Sequence, residues 1–305
     1  MTNAEQLNSQ ITEYTTLIDA NPSDADLYYK RGLAKYNLKN LAEAIDDFTK
    51  AIQLNNSNEI YYNIRGLAQW ELRNFHEAIY DYNHAIKLKP EYSYAYLNRG
   101  LAKEDLGLLQ EAIDDYSLAI QYAPTDPYAY NNRGLVHSKL GKHNEAMADY
   151  NHAIQLDPNY DYAYNSRGNL KSALGQSEEA LADFDQAISV NPAYEEAYFN
   201  RGSEKMMLGL LEEAIVDFNQ AIQLNPNDFK TFAHRGIAKA RLGLYQEALA
   251  DFDHTIRLNP QNERAYYNRG ITKKKMGIDD KGASDIAYSE RLKARHQKSK
   301  SIRKI

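Results

Sequence analysis

The sequence has no cysteine, a single tryptophan and no long apolar run. Without cysteine there can be no disulfide, thiolate nucleophile, iron–sulfur cluster or cysteine-ligated zinc. No stretch approaches the ~18 consecutive apolar residues that a membrane-spanning helix needs. Met1 to Gln10 lacks the basic-then-apolar order of a secretion signal. These absences lead us to expect a soluble, cytoplasmic protein. Disorder is excluded by the opposite feature: 43% of residues are hydrophobic, and 25 of the 305 are tyrosines, enough to bury a core.

Charge is unevenly spread. The net charge is −6, but Glu263 to Ile305 carries 13 basic and 5 acidic residues, a net of +8, which leaves −14 on the rest. An acidic body with a basic end can steer an anionic partner toward that end.

Arg-Gly pairs recur at Arg31, Arg65, Arg99, Arg133, Arg167, Arg201, Arg235 and Arg269, always 34 residues apart. Placing each glycine at position 8 defines eight units: 25–58, 59–92, 93–126, 127–160, 161–194, 195–228, 229–262 and 263–296. Position 4 is then aromatic throughout, from Tyr28 to Tyr266, and position 20 is alanine in every unit except the last, which has Gly282. Position 24 is aromatic up to Phe252, and position 32 is proline from Pro90 to Pro260. Apolar residues at 4, 14, 20, 21, 24, 28 and 30 follow helical rather than alternating spacing. Each unit therefore reads as two helices, near positions 2–14 and 18–30, with the glycine found at 15 from Gly107 to Gly277 stopping the first. All 15 glycines serve positions 8 and 15 or stand at Gly282, so none remains for a phosphate-binding loop.

This aromatic–Gly–Ala–aromatic–Pro spacing resembles the tetratricopeptide repeat (TPR). The resemblance implies an all-α, right-handed superhelical solenoid of helix-turn-helix hairpins. Residues 1–24 are expected to be an N-terminal capping helix, and 297–305 a basic C-terminal tail.

One departure from the family pattern concerns charge. Position 7, where the family usually has a leucine-like residue, is arginine in all eight repeats, and position 23 is aspartate: Asp47, Asp81, Asp115, Asp149, Asp183, Asp217, Asp251 and Asp285. Position 11 is mostly lysine: Lys35, Lys103, Lys171, Lys205, Lys239 and Lys273. These residues are expected to form an internal Arg–Asp ladder, within a repeat or between neighbours, that sets register. Loss of Asp149 should then cost roughly 3 kcal/mol.

No catalytic constellation stands out. The eight histidines include no His-Glu-x-x-His run and no i, i+4 pair, and no serine lies in an elbow of glycines. No enzyme activity, cofactor or metal is expected.

The resemblance places binding on the first helices, at positions 2, 5, 6, 9, 12 and 13. Position 6 carries Asn98, Asn132, Asn200 and Asn268, which resembles the asparagine ladder of superhelical TPR segments in O-GlcNAc transferases. Asparagine donates and accepts, so such a row can hold the backbone of an extended peptide. Tyr94, Tyr128 and Tyr162 share position 2 as aromatic anchors, Tyr36 and Trp70 line the first repeats, and Lys230, Arg264 and Lys274 line the last. Glu204, beside Met206 and Met207, stands where a small or apolar residue is usual and marks a candidate pocket. Position 5 never carries lysine, which argues against the carboxylate clamp of certain TPR co-chaperones.

The expected function is a non-catalytic, bacterial-type adaptor that binds a protein or peptide, one with an acidic stretch toward the C-terminal repeats. The alternative is a self-assembling homo-oligomer. Arg291, Lys293, Arg295, Lys298, Lys300, Arg303 and Lys304 would serve an anionic surface, but with Tyr288 as the only aromatic among them nucleic acid is disfavoured.

Overall fold

The computed structural model describes residues 2–302, with side chains as far as residue 297. Every regular element among the described residues is an α-helix. Two compact units divide the chain, residues 1–158 and 159–305.

The first unit begins with a lone helix, α1 (Asn3–Ala20). Its hairpins pair α2 (Ala25–Asn37) with α3 (Leu41–Leu54), α4 (Glu59–Glu71) with α5 (Phe75–Leu88), α6 (Ser93–Asp105) with α7 (Leu109–Tyr122) and α8 (Pro127–Lys139) with α9 (His143–Leu156). The second unit pairs α10 (Asp161–Ala173) with α11 (Ser177–Val190), α12 (Glu195–Met207) with α13 (Leu211–Leu224), α14 (Phe229–Arg241) with α15 (Tyr245–Leu258) and α16 (Glu263–Lys275) with α17 (Asp279–Ile302). The structure thus has the all-α solenoid class that the sequence implies.

The local chemistry explains these limits. Asp24, Asn58, Asp126, Asp228 and Asn262 cap first helices by accepting backbone N–H groups with their side chains. At the other end the chain reverses through one left-handed residue. Gly141, for example, has φ +74°, and the Lys142 N–H returns to the His137 carbonyl at 2.9 Å. Lys39 and Arg73 take the same conformation, both at φ 63°, in the two repeats without this glycine. A Cβ on Gly141 would meet nothing within 4 Å. Gly141→Ala should therefore cost about 1 kcal/mol through backbone strain alone, read as a lower urea midpoint with an unchanged slope.

Packing inside a hairpin rests on the small residues at positions 8 and 20 and the ring at 24. A Cβ on Gly100 would lie 2.6 Å from a ring carbon of Tyr116, so no other residue permits this approach of α6 to α7. Ala44, Ala78, Ala112, Ala146, Ala180, Ala214 and Ala248 are fully buried. Phe48, Tyr82, Tyr116, Phe218 and Phe252 are buried to the same degree. In the last hairpin Gly282 lets α17 approach so closely that its carbonyl would lie 2.7 Å from a Cβ on Gly270.

The decay of the sequence pattern after position 20 of the last repeat does not end the helix. α17 runs unbroken past residue 297 to Ile302, where a separate tail was expected. Arg303 and Lys304 lie outside the described residues, as do the side chains of Lys298 and Lys300. No described helix is long and apolar enough to cross a membrane.

Candidate interaction surface

Position 7 and position 23 meet in every hairpin. The arginine Nε donates to one aspartate oxygen at 2.8–3.1 Å, and a terminal guanidinium nitrogen approaches the other at 2.5–2.7 Å. This is the bidentate fork that a planar guanidinium favours. Each guanidinium also lies 5.3–5.9 Å from the centre of the position 4 ring of its own helix. In seven hairpins the remaining nitrogen reaches back to position 25 of the preceding one. Arg31 donates to Thr15, Arg65 to Thr49, Arg99 to Asn83, Arg133 to Ser117, Arg201 to Asp185, Arg235 to Asn219 and Arg269 to Asp253. Because α1 supplies Thr15, the lone first helix takes the place of a preceding repeat.

Six of the aspartates carry a second cation from position 11. Lys35, Lys103, Lys171, Lys205, Lys239 and Lys273 place Nζ 2.7–3.0 Å from an aspartate oxygen, and His137 stands in for lysine against Asp149. Its effect on acidity is visible at the extremes. Burial pushes the Asp81 carboxyl above its ordinary value against the pull of Arg65 and, more weakly, of His84. Burial also acts on Asp285, but Arg269 and Lys273 together outweigh it and bring that carboxyl below its ordinary value.

The variable positions of the first helices divide into two sets. One set joins neighbouring hairpins. Asn98 donates its amide to Asn63 at 3.1 Å, and Asn200 donates to Asn165 at 2.9 Å. Trp70 Nε1 donates to Asp105 at 2.7 Å, the Tyr36 hydroxyl to Glu71, and the Tyr61 hydroxyl to Asp26. Lys139 pairs with Glu104, which also accepts the Tyr116 hydroxyl. Most of these partners lie 35 residues apart, one step beyond the repeat length. The sequence reading missed this second ladder, and a search for complementary pairs at that offset would have found it.

The other set faces outward. The side-chain amides of Asn132 and Asn268 make no hydrogen bond within the described residues. Tyr94, Tyr128 and Tyr162 are exposed at 61%, 55% and 53%. Tyr162 is steadied by the Tyr194 ring at 4.8 Å, and Tyr94 by Tyr92 at 6.1 Å. In the second unit Lys230 shares a cavity of about 260 Å³ with Glu195, Glu196 and Asp228, so its charge is locally outnumbered. Arg264 and Asn268 line a larger cavity of about 610 Å³ with Tyr267, Glu290 and Lys293. Lys274 is exposed on the same helix, α16.

Glu204 is only 2% exposed and accepts the Ser172 hydroxyl at 2.5 Å. It sits inside the stack rather than on an open wall, while Met206 packs into the core and Met207 is 64% exposed. His84, His152 and His254 lie against the position 4 rings Tyr62, Tyr130 and Phe232. Among the described residues no three His, Asp or Glu side chains are grouped to hold a metal.

Known proteins reinforce the repeat architecture. Residues 25–58, 127–160 and 195–228 match a tetratricopeptide repeat model, and 105–141 and 168–209 match a TPR repeat model. Further tetratricopeptide repeat models match 149–182 and 60–92, so that together the matches span more than half of the chain. No curated protein matches it. Among solved structures, the Cut9–Hcn1 assembly of the APC/C aligns with a TM-score of 0.69 at 15% identity, covering 88% of this chain and 54% of that one. A tetratricopeptide repeat protein from Parabacteroides merdae aligns at 0.63 and 19% identity, over 81% of this chain and 98% of that one. YrrB, described as a TPR protein with an unusual peptide-binding site, aligns at 0.51 and 23% identity, over 62% of this chain and 98% of its own.

Proposed function

Because the chain belongs to the tetratricopeptide repeat family, we propose that it is a non-catalytic interaction module that holds extended segments of a protein partner against its first helices. The observation that carries this reading is the outward set: amphipathic rings half-exposed at position 2, beside the Asn132 and Asn268 amides, which make no hydrogen bond among the described residues. Such rings contribute large contact area at little entropic cost, and the amides satisfy the backbone of an incoming peptide. The surface is held in place before binding by the bonds between hairpins, which lowers the cost of ordering a flexible ligand. YrrB, with its peptide-binding site on a related fold, supports the same reading.

The two units offer different chemistry. In the first, Tyr94, Tyr128 and Asn132 are uncharged, largely aromatic side chains, while Asp26, Glu71, Glu104 and Asp105 are hydrogen-bonded by side chains of neighbouring hairpins. In the second, Arg264, Lys274 and Lys293 suit an acidic stretch at the last hairpin, while the acidic cavity around Lys230 does not. Asn98 and Asn200 serve the fold first, each keeping one amide hydrogen and its carbonyl for a ligand.

Panning a displayed library of short linear peptides on the full chain tests this reading. Selected peptides should bind about tenfold more weakly to a Tyr94→Ala, Asn132→Ala variant, the loss expected when an aromatic anchor is removed. Binding should also change the fluorescence of Trp70, the single tryptophan, whose indole lies in the first unit. Peptides that bind the variant and the parent equally would place the contact elsewhere.

A further inference from the structure

Two repeats lack the position 11 lysine: the fourth has His137 against Asp149, and the second has Gln69 beside a cavity. In six hairpins a lysine ammonium sits 2.7–3.0 Å from the position 23 aspartate. In four of these the same ammonium lies 3.4–3.6 Å from the glutamate at position 19. The second repeat keeps both carboxylates, Asp81 and Glu77, and its bidentate arginine, Arg65. Position 11, however, is Gln69, whose carbonyl oxygen accepts the Asn74 amide at 2.9 Å. The space beside it is a cavity of about 360 Å³ bounded by Gln69, His76, Glu77, Tyr80, Asp81 and Arg65.

We propose that this cavity is a binding site for a primary alkylammonium group, which takes the position that lysine occupies in the sister repeats. Asp81 is 2% exposed and is ion-paired with Arg65, with His84 adding a weaker attraction, so an ammonium meets a desolvated carboxylate already aligned for it. Six lysines of this same chain show that an ammonium and the arginine share the carboxylate without conflict. Burial pushes the Asp81 carboxyl upward, consistent with a site built for one more positive charge than it has. Tyr80, exposed at 60% at the cavity mouth, adds an aromatic wall against which an alkyl stem can lie. The cavity shares no residue with the outward asparagines and position 2 tyrosines, so this site stands apart from the peptide-binding reading.

The test follows the Arg65 Nε–H and Gln69 amide signals of the full chain by NMR while n-butylammonium is titrated at low salt. Saturable shifts are expected with n-butylammonium, and they should weaken at least about tenfold with isosteric n-butanol and in Gln69→Lys, where the chain supplies its own ammonium. A second arm uses an alanine peptide with one central lysine. Tighter binding of the peptide identifies a partner's lysine as the natural occupant, and equal or weaker binding a free alkylamine. Absence of a saturable shift, or equal shifts with n-butanol or in Gln69→Lys, overturns the proposal. Gln69→Lys leaves every residue of the ladder in place, so a loss of binding there is not a loss of fold, as a matching far-ultraviolet circular dichroism spectrum would show.

Discussion

Replacing Phe218 with alanine should destabilise the second unit by about 4 kcal/mol, the middle of the range for deleting a buried phenylalanine. Its ring is fully buried and packs with Leu211, Ala214, Ala238, Phe199, Met206, Ile215 and Leu242. Its edge fills the space that Gly202 leaves, where a Cβ would be 2.9 Å away. Truncation would remove contacts from both helices of the hairpin and from α14 beyond it. Neither backbone can collapse inward, because Gly202 and Ala214 are already at their closest approach. Chemical denaturation followed by circular dichroism would show an early loss of helix. A change below about 1 kcal/mol would mean that the site relaxes freely and that the ring is not the keystone of this hairpin.

Asp149→Ala should cost at least about 3 kcal/mol, the penalty for removing one partner of a buried ion pair. Asp149 is 5% exposed and receives Arg133 through both oxygens, with His137 at 3.0 Å from one of them. Alanine would leave a guanidinium held between the Tyr130 ring and Ser117 with no counter-charge. The paired change, Arg133→Met with Asp149→Leu, should recover most of the loss, because apolar side chains of similar volume need no desolvated partner. Urea midpoints of the two single variants and the double variant form the cycle that measures the coupling. If Asp149→Ala unfolds at the parent's midpoint, the ladder contributes nothing to stability. Trp70 fluorescence reports the first unit, which contains both residues.

The fold was legible because every hairpin repeats the same packing. A glycine at position 8 in all eight repeats, facing a ring at position 24 in seven of them, leaves a mark in the sequence whatever else varies. The contacts between hairpins left a fainter mark, since they join positions where residue types change: Tyr36 to Glu71, Trp70 to Asp105, Asn98 to Asn63. Such pairs share only an offset, and whether two side chains meet depends on how far one helix stands from the next. That is why Tyr36 and Trp70, read as ligand contacts, have polar groups already engaged within the first unit. Glu204 looked like a pocket because its residue type is wrong for its position, yet it is buried inside the stack, where it accepts the Ser172 hydroxyl. The division into two units has no counterpart in a period that runs through residue 158 without a break.

The backward reach of seven arginines has a consequence for how such a chain can change length. Thr15, Thr49, Asn83, Ser117, Asp185, Asn219 and Asp253 differ in size and charge, but each offers an oxygen to the guanidinium that follows. A hairpin copied or excised in a whole step of 34 residues thus meets a junction that already speaks its hydrogen-bond language. Gene duplication can add repeats here without inventing a new interface, whereas a break between positions 7 and 23 would separate an arginine from its aspartate. The array is modular in evolution because its joints tolerate several residues, while the inside of each module tolerates few.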